Sequence, residues 1–286
     1  MELLVLLLAI LLDILISEPP LAIHPVSWFG KLISFFEKLK ISNPVADLVY
    51  GIFSTLTVAF FSLILVFVPI PQPWNYMWHS YLLFSAVSIR SMISHAERCV
   101  RDGIDRNAVQ QIVSRNTAEL NEEQLCSAVI ESVAENYVDG VVSPLFYFSI
   151  LGIGGAMVYK AVNTCDAMIG YRMGRYEHFG KFTARIDDIL NFLPARLSLV
   201  FFELVKRGAL RYGLEKNVKL NGCTIAAMSY VLGVKLEKPG HYMLPGRDAD
   251  VSLVREAIKA FRVLSAIAVA FFVFVTAIRI MLLTHL

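Results

Sequence analysis

The sequence predicts an all-α, polytopic membrane protein with about four spans. We also expect a re-entrant or interfacial segment over residues 138–158 and a helical body that faces the cytoplasm. Of the 286 residues, 56% are hydrophobic and 17% are charged, whereas a soluble domain carries about 25% charged residues. Strand signals are weak, because no Asn-Gly or Asp-Gly turn joins two alternating runs. We expect one domain over residues 1–286.

Four apolar runs approach the length of about 20 residues that a spanning helix needs. They cover residues 1–17, 51–68, 77–93 and 263–283, and the last is the clearest. Asp13 interrupts the first run, which has no Lys or Arg before it. A cleaved signal peptide would begin with basic residues, so we interpret this run as a retained anchor.

The distribution of Lys and Arg predicts the orientation, because basic loops stay in the cytoplasm. Residues 94–137 and 159–196 are both basic, so a full crossing by 138–158 would place one of them outside. Pro144 and four glycines favour a re-entrant path for that segment, buried in protein. The prediction is therefore a cell-membrane protein with an extracytoplasmic N terminus and a polar body, residues 94–262, in the cytoplasm.

Composition also excludes some classes of partner and site. The net charge of +2 does not suggest a nucleic-acid partner. The four cysteines show no metal-binding spacing, and we expect buried, reduced thiols. There is no P-loop, G-x-S-x-G, H-E-x-x-H or G-x-G-x-x-G motif, so a nucleotide would have to be held in another way.

The stretch "DILISEPPLAIHPVSWFGK" follows the first apolar run with three prolines, which predict a rigid elbow. It carries Glu18, His24 and Trp28. A membrane-exit turn with an interfacial Trp and a functional wall are equally good interpretations. Asp13 favours function, because ionisable groups inside spans usually serve a site.

The stretch "ESVAENYVDG" places Glu131, Glu135 and Asp139 at four-residue intervals, on one face of a helix. Like charges at this spacing repel. A solvated face is the usual interpretation, but the stripe leads directly into apolar "GVVSPLFYF". Carboxylate oxygens suit Mg²⁺, so the stripe, with Asn136 beside it, predicts a metal or substrate site.

Two further motifs combine amides, carboxylates and cations. In "YKAVNTCDAMIGYR", Lys160, Asn163 and Asp166 lie near one helix face, and Arg172 follows. An ion-paired surface helix is the alternative there.

In "ARIDDILNFLPARL", Arg185, Asp188 and Asn191 recur at three-residue steps. Asp187 also reaches Asn191 at four residues, and Arg196 follows. Structural pairing of Arg with Asp is the alternative for this motif.

These three stretches and the elbow resemble the CbiB/CobD family of cobalamin biosynthesis, in order and over nearly the whole chain. The resemblance implies a multi-spanning adenosylcobinamide-phosphate synthase. Such an enzyme joins (R)-1-aminopropan-2-ol phosphate, or the free amino alcohol, to the propionate carboxylate of adenosylcobyric acid with ATP. The chain departs from the family in "SRNT", where Asn116 replaces an acid, and in "KLNG", where Lys219 and Leu220 replace Ser-Pro. We do not expect these three residues in the site.

Combining the resemblance with the residue patterns gives a full set of expectations. The catalytic candidates are Glu131, Glu135, Asp166, Asp187 and Asp188. The substrate-binding candidates are His24, Trp28, Asn136, Lys160, Asn163, Arg172, Arg185, Asn191 and Arg196. The Mg²⁺ candidates are Glu135, Asp139, Asp166 and Asp188, and we expect Glu135, Asp166 and Asp188 in a single cleft. ATP and the corrinoid would be substrates, and other corrinoid-pathway enzymes or a second copy are candidate partners.

Two other classes of protein fit part of the pattern. A membrane transporter would explain Asp13 and the Gly/Pro-broken segment, although the chain lacks the repeats typical of transporters. A scaffold for corrinoid-pathway enzymes would need no carboxylate cluster. Vesicle transport assays and ATP turnover with cobyrate would separate these classes from the synthase.

Overall fold

The computed structural model describes residues 1–39, 41, 43–171 and 174–284. The chain is helical, as predicted. Its helices are α1 (Glu2–Ile16), α2 (Pro25–Glu37), α3 (Pro44–Val66), α4 (Trp74–Ala86), α5 (Ile89–Cys99), α6 (Arg106–Ile112), α7 (Glu122–Tyr137), α8 (Ser143–Ile169), α9 (Lys181–Val205), α10 (Ala209–Glu215), α11 (Cys223–Leu232) and α12 (Val251–Thr284). A π turn, Val138–Val142, joins α7 to α8, and a short 3₁₀ turn, Gly174–Tyr176, precedes α9.

The chain folds as two compact units, each built from segments distant in sequence. Unit 1 contains Met1–Ser88, Ser143–Asn191 and Phe271–Leu286. Unit 2 contains Ile89–Val142 and Phe192–Ala270.

Unit 1 packs α2, α3 and α4 against the long helix α8, and α1 against α4. Its core is aromatic and aliphatic, with Phe29, Ile33, Val58 and Met157 almost fully buried. Burying each such side chain contributes roughly 1.5–3 kcal/mol. This core fixes α8, which carries several of the predicted site residues.

A close backbone contact joins α3 to the start of α9. A Cβ on Gly51 would lie 1.9 Å from the carbonyl oxygen of Phe179, so only glycine fits without a shift. One turn later, the Thr55 and Thr183 hydroxyls lie 2.6 Å apart, both buried. The contact places the first turn of α9, and hence Asp187 in the next turn, relative to α3.

Unit 2 is organised around α7, which begins with a capping box between Asn121 and Gln124. Most of this helix is buried, including the polar residues Ser127, Glu131 and Ser132. At its end, the ring of Tyr137 packs edge-on against Phe202 and Phe261, at 5.7 and 6.0 Å between centroids. Its hydroxyl donates to the Leu264 carbonyl at 3.0 Å.

A small hairpin in unit 2 was not predicted. Strands β1 (Leu236–Lys238) and β2 (Tyr242–Leu244) pair antiparallel, with Leu236 opposite Leu244. Gly240 in the turn has φ 77°, a conformation that favours glycine. The hairpin packs on α7 and brings Tyr242 to that helix.

Three helical runs within the described residues are long and apolar enough to cross a membrane: Pro44–Val66, Glu122–Ile169 and Val251–Leu283. The first and third contain most of the predicted spans 51–68 and 263–283. They support the prediction of a membrane protein. The number of crossings and the orientation stay predictions.

The predicted span over 77–93 is wrong as a single helix. Helix α4 ends at Ala86, Val87 is extended with ψ 146°, and α5 begins at Ile89. The N-terminal run forms α1, but its 15 residues fall short of the roughly 20 that a perpendicular span needs. A crossing by α1 therefore stays a prediction.

The segment 138–158 contains the backbone breaks that the sequence suggested. It starts in the π turn and continues into α8, which departs from helical geometry at Gly152, with φ 69° and ψ −163°. It also belongs to the 48-residue run Glu122–Ile169, which has sufficient length to cross. The re-entrant path stays a prediction.

All four cysteines are free and buried, as predicted. Burial raises the pKa of Cys99 to about 11, with a smaller contribution from Asp105. A thiol of that kind is inert as a nucleophile at neutral pH.

Candidate active site

A buried polar network in unit 1 joins α8 to α9 around one carboxylate. The Asn163 amide on α8 donates to Oδ1 of Asp187 at 3.3 Å. The Asn191 amide, one turn further along α9, donates to Oδ2 of the same carboxylate at 3.0 Å. Asp187 and Asn191 are both buried. Neutral amides therefore orient both oxygens of a buried acid.

The Asn191 amide oxygen accepts two further hydrogen bonds. The Ser143 hydroxyl donates to its Oδ1 at 2.6 Å, and the Tyr159 hydroxyl donates to the same atom at 2.9 Å. Tyr159 stacks on Tyr147 at 5.3 Å between ring centroids, and the Tyr147 hydroxyl donates to the Leu190 carbonyl at 2.9 Å. These contacts link the start and the middle of α8 to α9.

The Asp187 carboxyl is hard to ionise. Burial is the main cause that raises its pKa to about 7, and the nearby Asp166 carboxylate adds to the rise, with a smaller contribution from Asp188. The two amide donors act in the opposite direction, since they favour the ionised form. A carboxyl that titrates near neutral pH is suited to proton transfer.

Asp166 lies near the end of α8, and the space for its carboxylate depends on Gly170. A Cβ on Gly170 would lie 1.9 Å from Oδ1 of Asp166, so glycine leaves room for that carboxylate over the helix terminus. Asp166 and Asp188 thus lie within electrostatic range of Asp187 in unit 1.

The proline elbow is rigid and also belongs to unit 1. His24 caps α2, its Nδ1 accepting from the Val26 amide at 3.3 Å. The Trp28 indole donates to the Ala22 carbonyl at 3.0 Å. Burial lowers the pKa of His24, and Lys160 lowers it further, although Glu18 opposes both. Lys160 on α8 therefore lies within electrostatic range of the elbow.

In unit 2, Glu131 is enclosed by three partners. The Arg115 guanidinium pairs with Oε2 at 2.5 Å, the Tyr242 hydroxyl donates to Oε2 at 2.6 Å, and the Ser127 hydroxyl donates to Oε1 at 2.9 Å. Burial and the Glu131 charge raise the pKa of Tyr242, so its hydroxyl keeps its proton. Arg115 also donates to the Glu237 carbonyl at 3.2 Å, which ties the hairpin to α7.

Glu135 lies one turn further along α7 and is much more exposed. Lys219 forms an ion pair with Glu135 at 2.5 Å. The Lys219 side chain is 56% exposed and the Glu135 side chain is 40% exposed. The Asn136 amide donates to the Ser132 carbonyl at 3.0 Å. Lys219 thus contacts a candidate residue, although its departure from the family motif had argued against a site role.

The three carboxylates of the predicted stripe lie in two kinds of helix. Glu131 and Glu135 lie in α7, and Asp139 lies in the π turn Val138–Val142. A π turn winds more loosely than an α-helix. The prediction that all three carboxylates share one face stays a prediction.

The predicted cations differ in their surroundings. Arg196 donates to Oδ1 of Asn221 at 2.8 Å and to the Leu220 carbonyl at 2.7 Å, and its guanidinium lies 3.8 Å from the centroid of the Phe192 ring. These contacts fasten the "KLNG" loop to α9. Arg185 is exposed on α9, and Arg172 lies outside the described residues.

The comparisons with known proteins agree on one family. A family model described as CobD/Cbib protein matches residues 6–282. The chain belongs to the CobD/CbiB family. No solved structure matches it.

The CobD/CbiB relatives include three archaeal proteins, each called "Probable cobalamin biosynthesis protein CobD". The one from Archaeoglobus fulgidus is 63% identical over 285 residues, covering 100% of this chain and 98% of that protein. The one from Pyrococcus furiosus is 47% identical over 261 residues, covering 89% and 92%. The one from Methanocaldococcus jannaschii is 34% identical over 302 residues, covering 96% and 97%. The resemblance that the motifs suggested is confirmed.

The CobD/CbiB motifs are thus divided between the two units. Unit 1 brings together Asn163, Asp187 and Asn191, with Asp166 and Asp188 close by and with Lys160 in electrostatic range of His24. Unit 2 holds Glu131, Glu135, Asn136, Asp139 and Arg196. The single cleft for Glu135, Asp166 and Asp188 stays a prediction.

Sequence reasoning missed six residues of these networks: Arg115, Ser127, Ser143, Tyr147, Tyr159 and Tyr242. Arg115 appears in the sequence analysis only as the basic residue of "SRNT", and no pattern marks Tyr242. Ser143 and Tyr159 are fully buried hydroxyls, and nothing in their spacing distinguishes them from ordinary core residues.

The sequence predicts Mg²⁺ at Glu135, Asp139, Asp166 and Asp188. Among the described residues, no group of three or more His, Cys, Asp or Glu side chains is placed to hold a metal. In phosphate-transfer sites, however, Mg²⁺ usually takes one or two carboxylates together with substrate phosphates and water. Asp166 and Asp188 would supply oxygen ligands of that type, and Mg²⁺ bound together with phosphate stays a prediction.

Proposed function

We propose that this chain is a cobalamin-biosynthesis enzyme, an adenosylcobinamide-phosphate synthase. It would join (R)-1-aminopropan-2-ol phosphate, or the free amino alcohol, to the propionate carboxylate of adenosylcobyric acid by an amide bond. Membership of the CobD/CbiB family and the names of its relatives support the pathway. The buried Asp187 network supports the reaction class.

The reaction needs an activated acyl group and a deprotonated amine. ATP would phosphorylate the propionate carboxylate, giving an acyl phosphate and ADP. The amine nitrogen would then attack the acyl carbon, form the amide bond and release phosphate. One proton must leave the nitrogen during this step, and a second if the amine arrives as an ammonium, so the site requires a base.

Asp187 is the residue that we assign as this base, and its geometry carries the proposal. Both of its oxygens accept hydrogen bonds from neutral amides, so the carboxylate is oriented without being paired with a cation by those contacts. Its raised pKa, caused mainly by burial, makes it a better proton acceptor than an exposed carboxylate.

Cations and magnesium would serve the phosphates. Lys160 is one helical turn from Asn163 on α8 and would hold a phosphate oxygen. Asp166 and Asp188 would hold Mg²⁺, which would supply charge neutralisation for the transferred phosphoryl group. Because ATP is cytoplasmic, we place the reacting face of the protein in the cytoplasm, at the cell membrane.

The deciding experiment measures product formation by the purified protein in nanodiscs. The protein would be incubated with adenosylcobyric acid, ATP, Mg²⁺ and either form of the amine, and corrinoids would be separated and weighed by mass spectrometry. We expect a corrinoid heavier by the amine minus one water, together with one ADP per amide. Unchanged corrinoid with both amines would refute the proposal.

The variants make the test specific. Asp187→Asn should lose product by at least about 100-fold, the usual contribution of a general base. Glu215→Gln is the matched control, since Glu215 is an exposed carboxylate on α10 paired with Arg211 at 2.7 Å. A vesicle assay in parallel would reveal a transporter, which would accumulate corrinoid without forming an amide.

The topology has its own test. Single cysteines at Arg106 and Glu177 should both react with a membrane-impermeant reagent from the cytoplasmic side. Labelling of the two positions from opposite sides would refute the re-entrant model of residues 138–158.

A further inference from the structure

We infer that Ser143 and Tyr159 are positioning residues of the synthase, which act on Asp187 only through the amide of Asn191. The inference rests on the proposed function, because it assumes that Asp187 takes part in the reaction. Both hydroxyls converge on one atom, Oδ1 of Asn191, at 2.6 and 2.9 Å.

This convergence determines which way the Asn191 amide faces. A side-chain amide oxygen has two lone pairs, and the two hydroxyls use both. The NH₂ group is then directed at Oδ2 of Asp187, at 3.0 Å. A flipped amide would set its oxygen against the carboxylate, acceptor against acceptor. The two hydroxyls and the carboxylate therefore select the same orientation.

Burial makes the arrangement rigid. Ser143, Tyr159 and Asn191 are 0%, 1% and 3% exposed, so water does not compete for these hydrogen bonds. Ser143 is the first residue of α8, immediately after the π turn, and Tyr159 is braced by its stack on Tyr147. Two points of α8 and one point of α9 are thus held together at the carboxylate.

The group on which this network ends distinguishes it from buried hydrogen bonds that only stabilise packing. A network that only specifies packing can end on a backbone carbonyl, as the buried Tyr137 hydroxyl does. This network ends on a buried carboxyl group, whose two oxygens accept from the Asn163 and Asn191 amides. Orientation of that acid to within a fraction of an ångström is what proton transfer requires.

The test removes each hydroxyl without changing the shape of the side chain. Ser143→Ala and Tyr159→Phe should each lower kcat by about 10-fold to 100-fold, as expected for a slightly misplaced catalytic group. The KM for adenosylcobyric acid should stay within about twofold, because neither hydroxyl is placed to bind it. The double variant should lose more than either single variant.

Two buried hydroxyls elsewhere supply matched controls. Ser149 also lies in α8, and its hydroxyl is 3.0 Å from that of Thr276. Tyr137 donates to the Leu264 carbonyl. Ser149→Ala and Tyr137→Phe should keep kcat within about twofold, although they remove comparable buried hydrogen bonds.

The route through Asn191 is tested by non-additivity. In an Asn191→Ala background, Ser143→Ala should cause no further loss of kcat, because its point of action is gone. A full further loss would mean that Ser143 acts by another route and would overturn the inference. If Ser143→Ala fails to fold, the same cycle with Tyr159→Phe decides the question.

The outcomes separate this inference from the function on which it rests. A wild-type protein that forms no amide would refute the proposed function, and the inference with it. An Asp187→Asn variant that loses activity while Ser143→Ala and Tyr159→Phe keep it would refute the inference alone. Equal losses in the control variants would show that any buried hydroxyl matters, and would also refute it.

Discussion

Replacing Asp187 by asparagine should abolish synthase turnover and stabilise the fold at the same time. The reason is that the native environment opposes the ionised carboxyl: burial and the neighbouring Asp166 raise its pKa from 3.8 to about 7. Asparagine has nearly the same shape and does not ionise. Its side-chain oxygen can accept from the NH₂ group of Asn191, whose orientation is fixed. Its own NH₂ group can donate to the Asn163 oxygen, once the Asn163 amide has flipped.

The sign follows from proton linkage. Between pH 3.8 and about 7 the folded protein keeps the proton that the unfolded chain releases. Stability due to this group is therefore fully present below pH 3.8 and is lost as the pH rises through about 7. At about 1.4 kcal/mol per pH unit, the loss above pH 7 is about 4 kcal/mol as an upper bound.

The assay is thermal unfolding in detergent at pH 5 and pH 8. We expect the Asp187→Asn variant to gain about 1–4 kcal/mol at pH 8, or roughly 2–8 °C at about 2 °C per kcal/mol. The gain should be smaller at pH 5. Asp250→Asn is the control: hydrogen bonding to the Leu253 amide lowers the Asp250 pKa, so that carboxylate stabilises the fold above pH 4. A destabilised Asp187→Asn variant, or a gain independent of pH, would refute the reasoning.

Three other substitutions test separate parts of the structure. Arg115→Ala should destabilise unit 2 by about 3 kcal/mol or more, because it leaves Glu131 buried without its cation, and Glu131→Gln should restore part of the loss in thermal unfolding. Glu135→Gln should lower turnover at least about tenfold while changing stability by less than about 1 kcal/mol, since its ion pair is exposed; near-normal turnover would make this residue structural. Gly51→Ala should destabilise unit 1 by about 1–3 kcal/mol through a backbone clash, whereas Gly154→Ala, whose Cβ would be 3.6 Å from its nearest neighbour, should be tolerated.

The sequence predicted those features that depend on composition or on spacing within one element. The helical class followed from long apolar runs. The contact between Asp187 and Asn191 followed from their four-residue separation, which places both on one face of α9. The elbow followed from its prolines, and Trp28 and His24 are held there by local hydrogen bonds.

Other features depend on tertiary contacts that leave no pattern in the sequence. The break between α4 and α5 falls at Val87, with no Pro or Gly to mark it. The strands of the hairpin have three residues each, too few to show alternation. Tyr242 reaches Glu131 from 111 residues away, and such a distant pair cannot be read from one sequence.

The structure also distinguishes Glu131 from Asp187 as candidates for the base. Both carboxylates are buried, but their partners differ. Glu131 has a cation and two hydroxyl donors, so its charge is already compensated and its contacts serve to hold the hairpin on α7. Asp187 is oriented by amides, which fix its direction but supply no formal charge. A base must also gain a proton during the reaction, and the raised pKa of Asp187, about 7, suits that step. The acidic stripe drew attention first because its spacing is visible, but the contacts favour Asp187 as the group that accepts the proton.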